Sequence, residues 1–252
     1  MNAIKQMTAV VEIHKDRKAM GKAAGRQAQE YIAKCLDRKK EIRIIFGAAP
    51  SQNEMLKYLA SRKTIDWTRI TAFHMDEYIG LPEDAPQSFG NFLRERIFDK
   101  VPFKKVHYIR GNADEAEECR RYAALLAEAP IDILLCGIGE NGHIAFNDPP
   151  VADFKDPVLV KPVTLDKACR LQQVRDGCFP LLNKVPRRAF TLTVPALMNT
   201  EYAICTVPGK YKARAVQAAL KGPVSEKCPA SILRLHRECR FFLDADSGKE
   251  LF

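Results

Sequence analysis

Short runs of apolar and β-branched residues alternate along this chain with longer segments in which apolar residues recur every three or four positions. The short runs are typical of buried strands, and the periodic segments are typical of helices that bury one face. The pattern predicts seven strands, at residues 42–46, 70–73, 106–109, 131–137, 189–194, 202–207 and 240–243.

The first predicted helix spans residues 17–36, and one of its faces is apolar: Met20, Ala24, Ala28, Tyr31, Ile32, Cys35 and Leu36. Further helices are predicted after Pro50-Ser51, from Ser88, over 113–127 and over 210–220. Strands that alternate with helices of this length indicate βα units. We therefore predict an α/β fold with a mostly parallel central sheet and helices on both faces.

The length and composition of the chain are those of one globular domain. Of 252 residues, 46% are hydrophobic and 28% charged, which allows a substantial core. No repeat, linker or low-complexity tract divides the chain, so we predict a single domain over residues 1–252. No apolar run approaches the roughly 20 residues that span a bilayer, and the charged N-terminus does not resemble a secretion signal. We expect a cytoplasmic protein without membrane contact.

The net charge of +9 raises the question of nucleic-acid binding. The basic residues are dispersed, and their small clusters lack the interleaved aromatic residues that stack on bases. We expect a basic surface that helps to attract an anionic small molecule, and no nucleic-acid partner. The eight cysteines form no Cys-x-x-Cys pair, which indicates buried free thiols rather than disulfides or structural zinc.

Ligands of such folds bind at the carboxyl ends of the strands, and four chemically dense segments follow predicted strands here. In the first, residues 46–53 (FGAAPSQN), a strand turns through small residues into a helix. Exposed N–H groups at such a turn, with the Ser51 hydroxyl, are suited to bind an anion. An ordinary turn in which Ser51 caps the helix is the alternative.

The second segment, residues 73–82, places two adjacent carboxylates, Asp76 and Glu77, directly after an apolar strand. A carboxylate beside a cleft can have its pKa raised towards neutrality and act as a general base. The alternative is an acidic pair that is solvated or caps a loop.

The third segment, residues 132–150, contains the pattern G-x-G-x-x-G at Gly137, Gly139 and Gly142. As a dinucleotide fingerprint, this pattern requires a helix that opens at the third glycine. Pro149-Pro150 follow within eight residues and do not allow a normal helix there. We therefore reject a dinucleotide site.

The same loop carries His143 between Asn141 and Asp148. A histidine with flanking acceptors has a fixed tautomer and can transfer protons, although a lone histidine is more often structural. The fourth segment, residues 207–212, is again a strand followed by a helix, with lysines in the first turn. A cation there opposes the helix dipole unless it faces an anion, and a solvated lysine is the alternative.

The second and third segments resemble two signatures of the glucosamine-6-phosphate deaminase/isomerase family. Residues 75–81 (MDEYIGL) are similar to its M-D-E-Y-x-G-L signature, and residues 137–149 resemble its G-x-G-x-[DN]-G-H-I-[AG]-F-N-E-P signature. Weaker similarity covers residues 185–191, 209–220 and 231–236. The resemblance implies a Rossmann-like α/β fold and conversion of glucosamine 6-phosphate to fructose 6-phosphate and ammonia, with no metal ion and no cofactor.

The resemblance also implies roles for individual residues. Asp76 would take the proton from C2 of the opened sugar and deliver it to C1, and His143, oriented by Asn141 and Asp148, would act in ring opening. The phosphate would be bound near the turn segments and by an arginine between positions 170 and 175, where the alignment favours Arg175. The implied substrate-binding residues are Ala49, Ser51, Gln52, Gly139, Arg175 and Lys212.

The chain departs from the family at three places. Ala48-Ala49-Pro50 replaces paired glycines in the phosphate loop, and the proline removes a backbone donor. Position 141 is Asn, which part of the family shares, and Asp148 replaces the usual Glu, so its carboxylate reaches one methylene less far. A different sugar phosphate therefore remains open as the substrate.

Two further alternatives remain. The 6-phosphogluconolactonases share the G-x-G-x-D-G-H element but usually continue with a Ser-Leu-Phe-Pro type sequence, where this chain has residues 145–148 (AFND). A sugar-phosphate sensor without turnover would usually carry a DNA-binding domain, for which a first strand near Ile42 leaves no room. The expected partner is a small-molecule sugar phosphate, and homo-oligomerisation stays open.

Overall fold

The computed structural model describes residues 9–252. Its strands are β1 (Val10–His14), β2 (Ile42–Phe46), β3 (Ile70–His74), β4 (Asp76–Tyr78), β5 (Lys105–His107), β6 (Ile131–Cys136), β7 (Val160–Thr164), β8 (Arg188–Leu192), β9 (Thr200–Val207) and β10 (Cys239–Asp244). Seven of them form one sheet in the order β1-β10-β9-β6-β2-β3-β5, in which every neighbouring pair is parallel. The predicted parallel central sheet is confirmed.

The α-helices of the same region are α1 (Arg17–Arg38), α2 (Asn53–Ala60), α3 (Phe89–Leu93), α4 (Glu115–Ala127), α5 (Lys167–Arg175), α6 (Val194–Met198), α7 (Ala213–Lys221) and α8 (Ala245–Gly248). Successive residues of β2 face opposite sides of the sheet, as in any strand. Ile44 packs into the core under α1 and α2, whereas Ile45 packs into the core under α4 and α7. Helices therefore cover both faces, as predicted.

A second, antiparallel sheet has the order β4-β8-β7, and one residue, Met75, separates β4 from β3. It corrects the prediction in two ways. The strand predicted at residues 189–194 ends at Leu192, because Thr193 caps α6 and accepts a hydrogen bond from the Ala196 N–H. β4 and β7 were not predicted, since charged residues and Pro162 interrupt their apolar pattern.

The first strand is also earlier than predicted. β1 precedes the predicted strand at 42–46 and forms the edge of the central sheet beside β10. The side chains of Val10, Val11 and Ile13 are exposed, so β1 lacks the buried run that marks the other strands. The helix α5 was missed too, because its amphipathic pattern is weak and polar residues dominate it.

All eight cysteines are free thiols. Five are buried and Cys119, Cys178 and Cys228 are half-buried, so the prediction of buried thiols holds for most of them. Between residues 9 and 252, no helix combines the length and the apolar character needed to cross a membrane.

Candidate active site

A cleft lies at the carboxyl ends of β2, β3, β6 and β9, where the four chemically dense segments meet. The carboxyl ends of parallel strands share one edge of the sheet, so residues distant in sequence converge there. Asn141 and Asp148 contact His143. Arg175, which was expected in the site, does not line the cleft. The other residues expected in the site all line it: Asp76, His143, Ala49, Ser51, Gln52, Gly139 and Lys212.

Asp76, the first residue of β4, is buried at the wall of this cleft. Its Oδ1 atom is buried and has no hydrogen-bond partner among the described residues. Burial, followed by the nearby charge of Glu77, raises the pKa of Asp76 well above its ordinary value. A carboxylate in this state can accept a proton readily.

Glu77 has a different environment. Its carboxylate accepts hydrogen bonds from the N–H groups of Tyr78 (2.9 Å), Phe89 (3.0 Å) and Gly90 (2.8 Å), the last two at the start of α3. Burial raises the pKa of Glu77 to about 7, although these hydrogen bonds oppose the rise. The sequence left open whether the acidic pair acts as a base or caps a loop. Glu77 caps the start of α3, whereas Asp76 borders the cleft.

The glycine-rich loop after β6 wraps around the His143 ring. No helix opens at Gly142, whose φ is +84°, and this confirms the rejection of a dinucleotide fingerprint. The loop closes on itself through a hydrogen bond from the Gly139 N–H to the His143 carbonyl (2.9 Å). A Cβ atom at position 139 would lie only 2.1–2.3 Å from atoms of the imidazole. Only glycine therefore leaves space for the ring in this position.

The hydrogen bonds around His143 determine its tautomer. Nδ1 lies 2.7 Å from Asn141 Oδ1 and 3.0 Å from Asp148 Oδ1, while Asn141 Nδ2 donates to Asp148 Oδ1 at 2.9 Å. Both neighbours of Nδ1 are acceptors, so Nδ1 carries the proton. In the neutral ring, Nε2 is then the atom that can accept a proton from a ligand.

Asp148 is fully buried and contacts His143 directly, despite being one methylene shorter than the Glu usual in the family. Its other oxygen accepts a hydrogen bond from the Asp166 N–H (3.0 Å). Burial acts to raise the pKa of Asp148, but hydrogen bonds from His143, Asn141 and Asp166 outweigh it, so the pKa lies below its ordinary value. Asp148 thus stays ionised beside the imidazole.

The loop between β2 and α2 is tied to the end of β6. Gln52 Nε2 donates to Ser51 Oγ (3.0 Å) and to the Cys136 carbonyl (3.0 Å). Because Ser51 Oγ accepts this bond, its own hydrogen remains available to a ligand. Gly137 permits the close approach, since a Cβ there would lie 3.0 Å from Ser51 Oγ.

Lys212 ends a short 3-10 turn, Lys210–Lys212, and its side chain is buried at the cleft. Within residues 9–252 no carboxylate lies within ion-pair distance of its amine. Burial lowers the pKa of Lys212 to about 8, with Asp176 and Glu140 opposing the change. A buried ammonium without an ion pair favours an anionic ligand.

Arg175 was expected in the cleft, but other polar residues line it instead. The Arg175 guanidinium pairs with Glu140 and lies 5.1 Å from the centre of the Tyr211 ring. The additional polar side chains that line the cleft are those of Arg17, Gln172, Gln173 and Asp176. No motif marks them in the sequence, because the packing of α1 and α5 brings them in.

Two groups of side chains could hold a metal ion in the described part of the chain, with ligand atoms within 4.8 Å of one another: His143, Asp148 and Cys169, and Cys35, Asp132 and Glu201. In the first group, His143 and Asp148 already contact each other through Nδ1 and Oδ1. In the second, the Lys39 amine pairs with both carboxylates. These atoms would have to exchange partners to bind an ion.

Comparison with known proteins shows the family to which the chain belongs. Residues 15–241 match the family of glucosamine-6-phosphate isomerases and 6-phosphogluconolactonases. Glucosamine-6-phosphate deaminases from Bacillus cereus (strain B4264) and Bacillus thuringiensis (strain Al Hakam) are each 35% identical over 203 residues, which cover 80% of this chain and 76% of theirs.

Solved structures share the whole fold. A monomeric glucosamine-6-phosphate deaminase superposes with a TM-score of 0.86 at 29% identity, covering 96% of this chain and 99% of its own. A 6-phosphogluconolactonase from Thermotoga maritima superposes with a TM-score of 0.76 at 23% identity, covering 94% of this chain and 99% of its own. At this identity, the similarity shows only that the two proteins share a fold. This chain is an enzyme of the glucosamine-6-phosphate isomerase/6-phosphogluconolactonase family.

Proposed function

We propose that this enzyme converts glucosamine 6-phosphate to fructose 6-phosphate and ammonia without a metal ion, and that Asp76 and His143 transfer the protons. The observation that carries the proposal is that one cleft combines a buried carboxyl with an unpartnered oxygen and a histidine held in one tautomer. The deaminase relatives support the same substrate.

The chemistry requires one base that serves two adjacent carbons. After ring opening, Asp76 removes the proton from C2 while the ammonium group of the substrate gives a proton to the aldehyde oxygen at C1, which leaves a C1–C2 double bond. Asp76 then returns its proton to C1, and the C2–nitrogen bond becomes an imine. Water hydrolyses the imine to the ketone and ammonia. The raised pKa of Asp76 suits a group that must first accept a proton and then return it.

His143 acts before this step, in opening the sugar ring. In the neutral tautomer its Nε2 accepts the proton of the anomeric hydroxyl, and the imidazolium then protonates the ring oxygen. Asp148 and Asn141 stabilise the imidazolium through Nδ1. The phosphate is bound by the Ser51 hydroxyl, by the backbone N–H groups of Ala49 and Ser51 and by Lys212, and it orients C1 and C2 towards Asp76.

The test is to supply purified protein with glucosamine 6-phosphate and to measure ammonia and fructose 6-phosphate together. We expect equal amounts of both products. The same protein is offered galactosamine 6-phosphate and 6-phosphogluconolactone, because the Ala48-Ala49-Pro50 loop differs from the family. Faster acid release from the lactone, or no ammonia from glucosamine 6-phosphate, would refute the proposal.

Asn141 offers a test of the role of His143. In Asn141→Asp, a second carboxylate beside Nδ1 should stabilise the cationic imidazole. The acid-side limb of the kcat profile should therefore move to higher pH. Asn141→Ser, which adds no charge, serves as the control, and a profile unchanged in Asn141→Asp would contradict the assignment.

The lowered pKa of Lys212 predicts that phosphate binding depends on pH. With a pKa of about 8, its amine is protonated below that pH and loses its charge above it. Affinity for fructose 6-phosphate, which has no amine of its own, should therefore fall roughly 10-fold between pH 7 and pH 9. Calorimetric titration measures this, and Lys212→Arg should flatten the dependence because arginine stays protonated. Equal slopes in both proteins would show that another group titrates.

A further inference from the structure

The side chain of Arg17 reaches the cleft because α1 and α2 pack unusually closely. A Cβ atom at Gly21 would lie 2.2 Å from Glu54 Cβ, and one at Gly25 would lie 2.5 Å from Tyr58 Cδ1. Arg17 stands one turn before Gly21 and therefore lies on the same face of α1. The close packing brings it to the amino end of α2, where the loop after β2 enters that helix.

Two contacts hold the Arg17 guanidinium against this loop. Nε donates to Glu54 Oε1 at 2.7 Å, and Nη2 donates to the Pro50 carbonyl. A guanidinium has five N–H donors, so these contacts leave others available. Arg17 lines the cleft together with Ser51 and Lys212, and its side chain is 40% exposed.

The position of Arg17 matches a donor that the loop lacks. Pro50 has no N–H, so the turn offers one backbone donor fewer to an anion than another residue would. Arg17 binds the carbonyl of that same proline and thus places its remaining donors beside the gap. Guanidinium groups bind phosphate through paired, parallel hydrogen bonds.

The charges of the cleft lead to the same conclusion. Lys212 and the Asp176 carboxylate both line it, and their charges offset each other. Arg175 does not line the cleft, and α5 contributes the uncharged amide of Gln173 there. With Asp76 ionised as the base, the lining carries two carboxylates, Asp76 and Asp176, so without the Arg17 guanidinium it would hold a net negative charge beside a phosphate dianion.

We propose that Arg17 binds the phosphate group of the substrate, in the role that the family resemblance implied for Arg175. This inference rests on the proposed function, in that it assigns a phosphorylated substrate to the same cleft. It makes α1 and its glycine-mediated packing on α2 a determinant of phosphate specificity. Glu54 positions the guanidinium and does not touch the ligand.

The experiment measures binding of inorganic phosphate by calorimetry, which needs no turnover. We expect Arg17→Gln to weaken binding about 10- to 100-fold, and Arg17→Lys, which keeps the charge, to weaken it less. Arg175→Gln is the matched control and should change the affinity less than 2-fold. With glucosamine 6-phosphate, Arg17→Gln should raise KM by a similar factor and change kcat far less.

The outcomes separate this inference from the proposed function. Unchanged phosphate affinity in Arg17→Gln, a larger loss in Arg175→Gln, or no phosphate binding by the wild type would each overturn the role of Arg17. Equal losses in Arg17→Lys and Arg17→Gln would also overturn it, since they would indicate that Arg17 only braces the loop. Weaker binding in Arg17→Gln, in a protein that releases no ammonia, would support Arg17 and refute deamination.

Discussion

Asp76→Asn is expected to reduce ammonia release from glucosamine 6-phosphate by about 10³-fold or more, with little change in KM. An amide cannot take a proton from C2, and general bases contribute about 10²–10⁴ to a single step. Asp76 is proposed to serve two steps, at C2 and at C1, so the loss should lie at the upper end. Initial rates of ammonia formation measure it directly.

The same variant should be at least as stable as the wild type. The pKa of Asp76 is raised on folding, so the carboxyl contributes stability at low pH that is lost as the pH rises towards its folded pKa. At pH 7 its unfolded form is ionised, and folding must bury that charge or protonate it. Asparagine removes this cost, and the Tm at pH 7 should be unchanged or higher.

Glu77→Gln provides the matched control, one residue away. Glu77 accepts three backbone hydrogen bonds at the start of α3, and an amide oxygen accepts them less strongly than a carboxylate. We expect a lower Tm and a kcat within about 10-fold of the wild type. A Glu77→Gln protein as inactive as Asp76→Asn, yet fully folded, would contradict the assignment of Asp76 as the base.

Local sequence predicted most of the central sheet and most of the candidate site. The strands that cross the core are buried on both faces, so each appears as a continuous apolar run, and the polar segments that follow them converge at one edge. The adjacency of His143 to Asn141 and Asp148 is likewise a property of one loop.

What could not be predicted depends on long-range packing. Arg17 is an ordinary first-turn residue in the sequence, and only the approach of α1 to α2 brings it to the cleft. Arg175 lies in the segment that the alignment favoured, but its pairing with Glu140 holds it outside the lining. The small sheet of β4, β7 and β8 was hidden for a similar reason, since the pairing partners of β4 come from more than 100 residues away.

Gly139→Ala is expected to lower kcat about 100-fold or more, although the glycine carries no chemistry itself. Its added methyl group would lie 2.1–2.3 Å from three atoms of the His143 ring, which real structures do not tolerate. The backbone is held by the bond from Gly139 N–H to the His143 carbonyl, so the imidazole must turn away from Asn141 and Asp148 instead. The His143 ring would then lose its fixed tautomer and its orientation, and with them its contribution to acid–base catalysis.

Gly137→Ala is the comparison within the same loop. A Cβ there would press on Ser51 Oγ and Gln52 Nε2 at 3.0 and 3.1 Å, so it should disturb phosphate binding and raise KM. A decisive control is the double variant Gly139→Ala with His143→Gln. If the methyl group acts only through the imidazole, the double variant should be no slower than His143→Gln alone, because the two changes remove one function. Additive losses would mean that Gly139 affects the reaction by another route, through the shape of the loop itself.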